Sequence, residues 1–349
     1  MKTGLVALTV SLQFFLLLTA VNSGFVHADP PTIVVPDDFS TIQEAVNNAN
    51  LGDVVFVRTG VYVERVVVNK TISLIGESSK TTMVDGNKAG PVILVAANGV
   101  NLTGFTIRAG QNTHPICNVW LENVSQCSVH GNILAYAFYG VYLNEANGNS
   151  VYENSAMNGS IGICGFHSDG NSVFSNVFTA NSFAGINFHF CSYNSLAENL
   201  ISDNSRGARL LDGANNNTIY HNSFINNTGQ IYVQSSYNNT WDDGYPSGGN
   251  YWSDYDGPDA DHDGIGDAAY VIDAYNMDHY PLIESYVNIM GDINGDGKVD
   301  MKDVGYVARR FMCVPADPLW DSSADVNGDG KINMLDIGTV ARHFGEHHP

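Results

Sequence analysis

The chain has 349 residues, of which 36 are Asp or Glu and 15 are Lys or Arg, giving a formal net charge of −21. A field of that sign repels nucleic acid and anionic lipid and favours divalent cations, so nucleic-acid binding is excluded. The length allows one large domain and one small one, and the charge is uneven, with 19 acidic against 6 basic side chains in residues 253–349.

Residues 1–28 open with Lys2, run through an apolar stretch from Leu5 to Ala20 and end on Val26, His27 and Ala28, a small-residue cleavage site. That is the pattern of a secretory signal peptide, either cleaved or retained as an anchor. No later segment reaches the ~18 apolar residues that a membrane-spanning helix needs. The expectation is an exported protein, secreted or attached to the cell surface. Residues 40–49 begin with Ser40, placed to cap a helix, and set Ile42, Ala45, Val46 and Ala49 on one face. Such a helix can plug the open end of a sheet structure. Val54–Val57, Gly60–Glu64 and Thr71–Ile75 then read as opening strands.

Between residues 127 and 240 the chain repeats. Asn149, Asn171, Asn194 and Asn217 are each followed by Ser or Thr, an apolar residue and, five positions on, a second asparagine: Asn154, Asn176, Asn199 and Asn222. A variant begins at Cys127, with Val129, Asn132 and Leu134, and a last unit begins at Asn239, so that the starts lie 22, 22, 23, 23 and 22 residues apart. Each unit holds a further strand: Gly140–Leu143, Gly162–Gly165, Gly185–Phe188, Gly207–Leu210 and Gly229–Val233. Alternation along these strands sends Tyr142, Cys164, Asn187, Arg209 and Tyr232 outward. Three short strands per ~22 residues make one coil of a right-handed parallel β-helix, with coils stacked ~4.8 Å apart. Val151, Val173, Leu196 and Ile219 then form a core column, and Asn132, Asn154, Asn176, Asn199 and Asn222 form a ladder. An unpaired buried amide costs about 1–3 kcal/mol, whereas a stacked one bonds its neighbours above and below, so these asparagines are read as structural. The five cysteines, Cys117, Cys127, Cys164, Cys191 and Cys313, are an odd set without metal-ligand spacing and are not a disulfide framework.

After the repeats come Gly249, Asn250, Tyr251, Trp252 and Tyr255, then an acidic tract with Asp259, Asp261, Asp263, Gly264 and Asp267. This element and the opening from Ile33 through Gly76 resemble the pectin-lyase-like β-helix proteins grouped with NosD, a likeness covering about residues 33–285. The acidic tract could hold a metal ion through Asp259, Asp261, Asp263 and Asp267, although residue 270, where a twelfth-position carboxylate would fall, is Tyr.

Near the end the same loop occurs twice, 33 positions apart. Oxygen donors fall at loop positions 1, 3, 5, 9 and 12, with glycine at 6 and a main-chain carbonyl at 7, the arrangement that wraps a hard cation. Val304, Val307, Ala308 and Phe311, then Ile337, Val340, Ala341 and Phe344, follow as one amphipathic helix per loop. A duplicated loop and helix from Gly291 to Phe344 resembles the type I dockerin module. The resemblance implies Ca2+ held by Asp292, Asn294, Asp296, Lys298 (carbonyl), Asp300 and Asp303. In the second loop it implies Asp325, Asn327, Asp329, Lys331 (carbonyl), Asn333 and Asp336. It further implies a cohesin-bearing scaffold as partner, read by Met301, Lys302, Met334 and Leu335. The domains expected are a signal peptide over 1–28, a β-helix over 29–248, a Tyr/Trp/Asp-rich cap over 249–287 and a dockerin over 288–349.

Chemistry is less marked. Lyases on such a scaffold need Arg or Lys, and between residues 89 and 297 only Arg108, Arg206 and Arg209 occur. Hydrolases need paired carboxylates. The best catalytic set is His167, Asp169, His189, Arg209 and Asp212, contributed by successive coils at similar phases. The scarcity of bases favours a non-catalytic β-helix that binds carbohydrate, with Tyr142 and Tyr232 as stacking faces, over a polysaccharide lyase or glycoside hydrolase. Metal handling in the manner of NosD has no His/Cys/Met cluster to support it.

Overall fold

The computed structural model describes residues 31–111, 114–286, 291–293, 299–314, 317, 319–327 and 330–345. The leader expected over residues 1–28 lies outside them. Among the described residues no helix is long and apolar enough to cross a membrane.

Short strands wind through three parallel sheets in turn. Sheet 1 runs from Thr32–Val35 to Thr218–Tyr220, sheet 2 from Gly60–Val63 to Tyr251–Trp252, and sheet 3 from Val66–Val68 to Gly229–Gln234. They hold nine, nine and eight strands, so the chain is a parallel β-helix. The core column of sheet 1 aligns Leu102, Val129, Val151, Val173, Leu196 and Ile219 in register, all buried. Sheet 2 supplies Leu134, Ala156, Phe178, Ile201 and Phe224, and sheet 3 Val119, Val141, Ile163, Ile186 and Ala208. Burying each of the larger aliphatic or aromatic side chains stabilises the fold by about 1.5–3 kcal/mol. Gly140, Gly162, Gly185 and Gly207 stack at the entry to sheet 3 because a Cβ there would lie 2.4–2.8 Å from a carbonyl oxygen of the next coil. No side chain fits that approach.

The expected asparagine ladder is present and longer than anticipated. Asn132, Asn154, Asn176, Asn199 and Asn222 each donate Nδ2 to the Oδ1 of the next rung, at 2.8–3.1 Å, and the series continues to Asn250. Two further ladders run beside it: Asn149, Asn171, Asn194, Asn217 and Asn239, and the shorter Asn181, Asn204 and Asn227. Every rung donates in the same direction, so the far end of a ladder needs an acceptor. For the first ladder this is Asp278, fully buried, which accepts from the Asn250 N–H at 2.7 Å, from Trp252 Nε1 at 2.9 Å and from the Tyr280 N–H at 3.1 Å. Burial pushes its carboxyl up to about 6 against those donors.

Both ends of the core are closed. Helix α1, Ile42–Asn48, buries Ile42, Ala45 and Val46 against the first coil. Its cap is Thr41 rather than Ser40: Thr41 is extended, at φ −127, and its Oγ1 accepts from the Glu44 N–H, while Ser40 Oγ donates to the Glu44 carboxylate. At the other end Trp252 stacks between Phe224 at 4.5 Å and Tyr270 at 4.3 Å. The antiparallel pair Tyr270–Val271 and Met277–Asp278 completes this cap.

The C-terminal module has its own core of Val299, Val307, Ala324, Ile332 and Val340. Helices α2, Met301–Ala308, and α3, Met334–Arg342, start earlier than the apolar stripes indicate. Phe311 and Phe344 lie beyond their C-terminal ends and are exposed. The apolar period continues past the point where the backbone leaves the helix.

Candidate functional site

The outward row of sheet 3 is Trp120, Tyr142, Cys164, Asn187, Arg209 and Tyr232, in register. Alternation places them as expected, but Cys164 and Asn187 are only 4% exposed on that face. Burial pushes the Cys164 thiol up to about 12, which keeps it neutral and unreactive. All five cysteines are free thiols. Tyr142 packs with Tyr139 and Trp120 at 4.8 and 5.0 Å.

Further along the row Phe183, Ser205, Arg206, Arg209 and Tyr232 line a groove of about 280 Å³. The Arg209 guanidinium lies 4.5 Å from the Phe183 ring and 5.5 Å from the Tyr232 ring, and its Nη1 donates to Asn187 Oδ1 at 3.0 Å. Arg206 donates Nη1 to the Ser205 carbonyl at 3.1 Å and lies over Gly229, where a Cβ would come within 2.7 Å of it. Arg206, Phe183 and Ser205 carry no repeat signal, because residues just before a strand and at its first position vary from coil to coil.

Of the five residues put forward as catalytic, two meet, His189 and Asp212, while Arg209 turns to Asn187, Phe183 and Tyr232. His189 Nδ1 lies 3.4 Å from Asp212 Oδ2, and burial lowers the imidazole pKa, opposed by Asp212 and assisted by Arg209. His167 stands apart, stacked on Phe190 at 4.7 Å. Asp169 is a rung of an outer turn ladder: its N–H donates to Asn147 Oδ1 and its Oδ1 accepts from the Ser192 N–H at 2.6 Å. His167 and Asp212 share a phase for a backbone reason. The residue after each sheet 3 strand, from Asn123 through Glu145, His167, Phe190 and Asp212 to Ser235, has φ between 48 and 53.

In the cap, one carboxylate oxygen from each of Asp259, Asp261 and Asp263 lies within 4.8 Å of the others. Asp267 instead accepts from the Ala260 N–H at 2.7 Å and closes the loop.

In the C-terminal module Asp303 and Asp336 are fully buried. Asp303 accepts from the Ile293 and Asp300 N–H groups, both at 2.8 Å, and Asp336 from the Asn327 and Asn333 N–H groups at 3.2 and 2.7 Å. Asp300 and Asn333, at loop position 9, are also the N-caps of α2 and α3, and each forms a capping box with the position 12 carboxylate. One residue pair therefore sets both the loop and the helix start. Two sealed carboxylates amid oxygen donors suit a hard divalent cation. Asn294, Asp296, Lys298 and Asp329 lie outside the described residues. Met301, Met334 and Leu335 are 67%, 64% and 60% exposed, and Lys302 is exposed beside Met301, at the start of each helix.

Two family models match. Residues 46–257 match that described as periplasmic copper-binding protein (NosD), and residues 290–345 match the dockerin type I domain. A protein of Pseudomonas aeruginosa described as "Probable ABC transporter binding protein NosD" is 42% identical over 79 residues, 22% of this chain and 18% of that protein. A "Cell surface glycoprotein" of Methanothermus fervidus is 30% identical over 132 residues, 37% of this chain and 21% of that protein. The chain thus spans about a fifth of the length of these relatives. Among solved structures, an alginate lyase from Paenibacillus sp. is similar at 13% identity and TM-score 0.40, over 63% of this chain and 97% of that one. Carrot pectin methylesterase is similar at 13% identity and TM-score 0.43, over 61% and 83%.

Proposed function

Since the chain belongs to the periplasmic copper-binding protein (NosD) family and carries a C-terminal type I dockerin domain, we propose that it is an exported, non-catalytic carbohydrate-binding β-helix, tethered through calcium to a cohesin-bearing scaffold. The observation that carries the binding reading is the groove on sheet 3, where two aromatic rings flank a guanidinium on a regular, rigid surface. Exposed ring faces stack on the apolar faces of sugars, and Arg supplies directed donors. Affinity electrophoresis of the full chain through gels containing a panel of polysaccharides tests it. Retardation that disappears in Phe183→Ala with Tyr232→Ala supports the reading, and free migration through every polysaccharide rejects it.

The tether uses Asp292, Asn294, Asp296, Asp300 and Asp303 with the Lys298 carbonyl, and Asp325, Asn327, Asp329, Asn333 and Asp336 with the Lys331 carbonyl. Calcium there neutralises the sealed position 12 carboxylates and holds each loop against its helix. The exposed Met301, Lys302, Met334 and Leu335 would form the partner face. Capture by an immobilised cohesin in calcium but not in EGTA, lost in Met301→Asp with Met334→Asp, is the expected result. The cap carboxylates of Asp259, Asp261 and Asp263 would take a third calcium ion, with Asp267 fixing the loop.

The family description names copper, which favours imidazole, thiolate and thioether donors. Among the described residues, the group of three or more His, Cys, Asp or Glu side chains with converging ligand atoms is that of Asp259, Asp261 and Asp263, all oxygen donors. These donors do not fit copper.

The His189 and Asp212 contact favours a second reading, a polysaccharide lyase or glycoside hydrolase delivered by the dockerin. Release of unsaturated or reducing-end product that is lost in Asp212→Ala would establish it and end the non-catalytic one.

A further inference from the structure

Arg206 and Arg209 are the only Lys or Arg residues between positions 109 and 297 of a chain whose formal charge is −21. The fold brings both to one groove. Three of its six other arginines meet acids: Arg58 pairs with Asp37, Arg108 with Asp85 and Arg310 with Asp321. Among the described residues no carboxylate lies within ion-pair distance of either Arg206 or Arg209. What holds them is neutral: the Asn187 amide oxygen, the Ser205 carbonyl, the rings of Phe183 and Tyr232, and the space left by Gly229.

Two like charges side by side repel, and Arg206 acts on Arg209 in that sense. Acids are plentiful in this chain, so a pair with neutral supports leaves room for an anion from outside. Guanidinium forks match planar carboxylate and sulfate oxygens. The aromatic residues beside them, Phe183 at 43% exposure and Tyr232 at 41%, suit a saturated ring more than a bare ion.

We infer that the groove takes an anionic sugar, with the carboxylate or sulfate between Arg206 and Arg209 and the pyranose ring against Phe183 or Tyr232. The inference rests on the carbohydrate-binding reading above and names the class of glycan. Asn187, by holding the Arg209 fork, is a positioning residue for it.

Binding of the full chain to polygalacturonate, fully methyl-esterified polygalacturonate, dextran sulfate and a neutral β-glucan tests this, in EGTA so that calcium cannot bridge polymer to the acidic module. The expected result is retention of at least one anionic polymer, at least tenfold weaker binding of the neutral ones, and a tenfold or greater loss in Arg206→Gln and in Arg209→Gln. Preference for polygalacturonate assigns the carboxylate, and preference for dextran sulfate assigns the sulfate. Arg209→Lys, which keeps the charge without the fork, should lose part of the affinity, and unchanged thermal melting shows that the variants are folded. Binding of the neutral polymers as tight as that of both anionic ones, or anion binding untouched by both Arg→Gln variants, overturns the inference and leaves carbohydrate binding standing. Retention of no polymer removes both.

Discussion

In the coils most buried polar groups are neutral amides, and the ladder asparagines satisfy one another rung by rung, whereas in the C-terminal module two carboxylates, Asp303 and Asp336, are sealed at 0% exposure. The same problem, polar atoms out of water, has two physical answers. A ladder of amides is complete within the chain, and its hydrogen bonds hold in any solvent that keeps the coils stacked. A sealed carboxylate carries a charge whose burial is unfavourable until a cation offsets it. The coils should therefore be stable unconditionally and the module only with calcium. Asp278 belongs to both patterns, a buried carboxylate that ends an amide ladder.

The most damaging test of the ladder is Asn176→Leu. It removes the acceptor for the Asn154 N–H and Nδ2, and the donor to the Val151 and Phe174 carbonyls. With several groups left unpaired at about 1–3 kcal/mol each, a loss of about 3–6 kcal/mol is expected in urea unfolding of the coils. Calcium binding by the module, followed by calorimetry, should not change. An unaltered coil midpoint would mean that the amide is not sealed.

Calcium removal is the converse experiment. At a free concentration a hundredfold above Kd, calcium adds about 2.7 kcal/mol per site. EGTA should abolish the module's melting transition and leave that of the coils in place. Asp303→Ala with Asp336→Ala should make the chain indifferent to EGTA, and a module transition that survives chelation would refute the contrast.

The pH response should differ in sign. Burial raises the folded pKa of Asp278 to about 6, above the ordinary aspartate value near 3.9. The folded state then binds more protons than the unfolded state between those values, so this group's contribution to stability rises as pH falls from about 7 to about 4. Its size is at most about 3 kcal/mol, read as the pH dependence of coil unfolding in the full chain against Asp278→Asn. The calcium loops move the other way, because their ligands must be deprotonated to bind.

The smallest contrast lies in two glycines. A Cβ at Gly162 would lie 2.6 Å from both the Gly185 carbonyl and the Phe178 ring, while one at Gly305 in helix α2 meets nothing within 4 Å. Gly162→Ala should destabilise the coils by about 1–3 kcal/mol. Gly305→Ala should stabilise the module by about 0.5–1 kcal/mol, since alanine is the better helix former. Thermal melts of the two variants, with calcium present, give both signs.

The repeat and the loops could be read directly because each is a short-range pattern at constant stride. A rung spaced 22 or 23 residues from the next, as Asn154 is from Asn176 and Asn176 from Asn199, shows as periodicity before any coordinate is known. So do the outward row with Tyr142, Arg209 and Tyr232 and the twin acidic loops. What stacking alone decided is aperiodic: Thr41 rather than Ser40 as the cap, Asp278 as the end of a ladder 28 residues beyond Asn250, and Asp169 as a turn rung. The same holds for the groove, to which Phe183, Arg206, Arg209 and Tyr232 come from three successive coils. Local sequence determines how far apart the rungs lie, but which side chains meet across coils depends on the register and turn conformation that packing imposes.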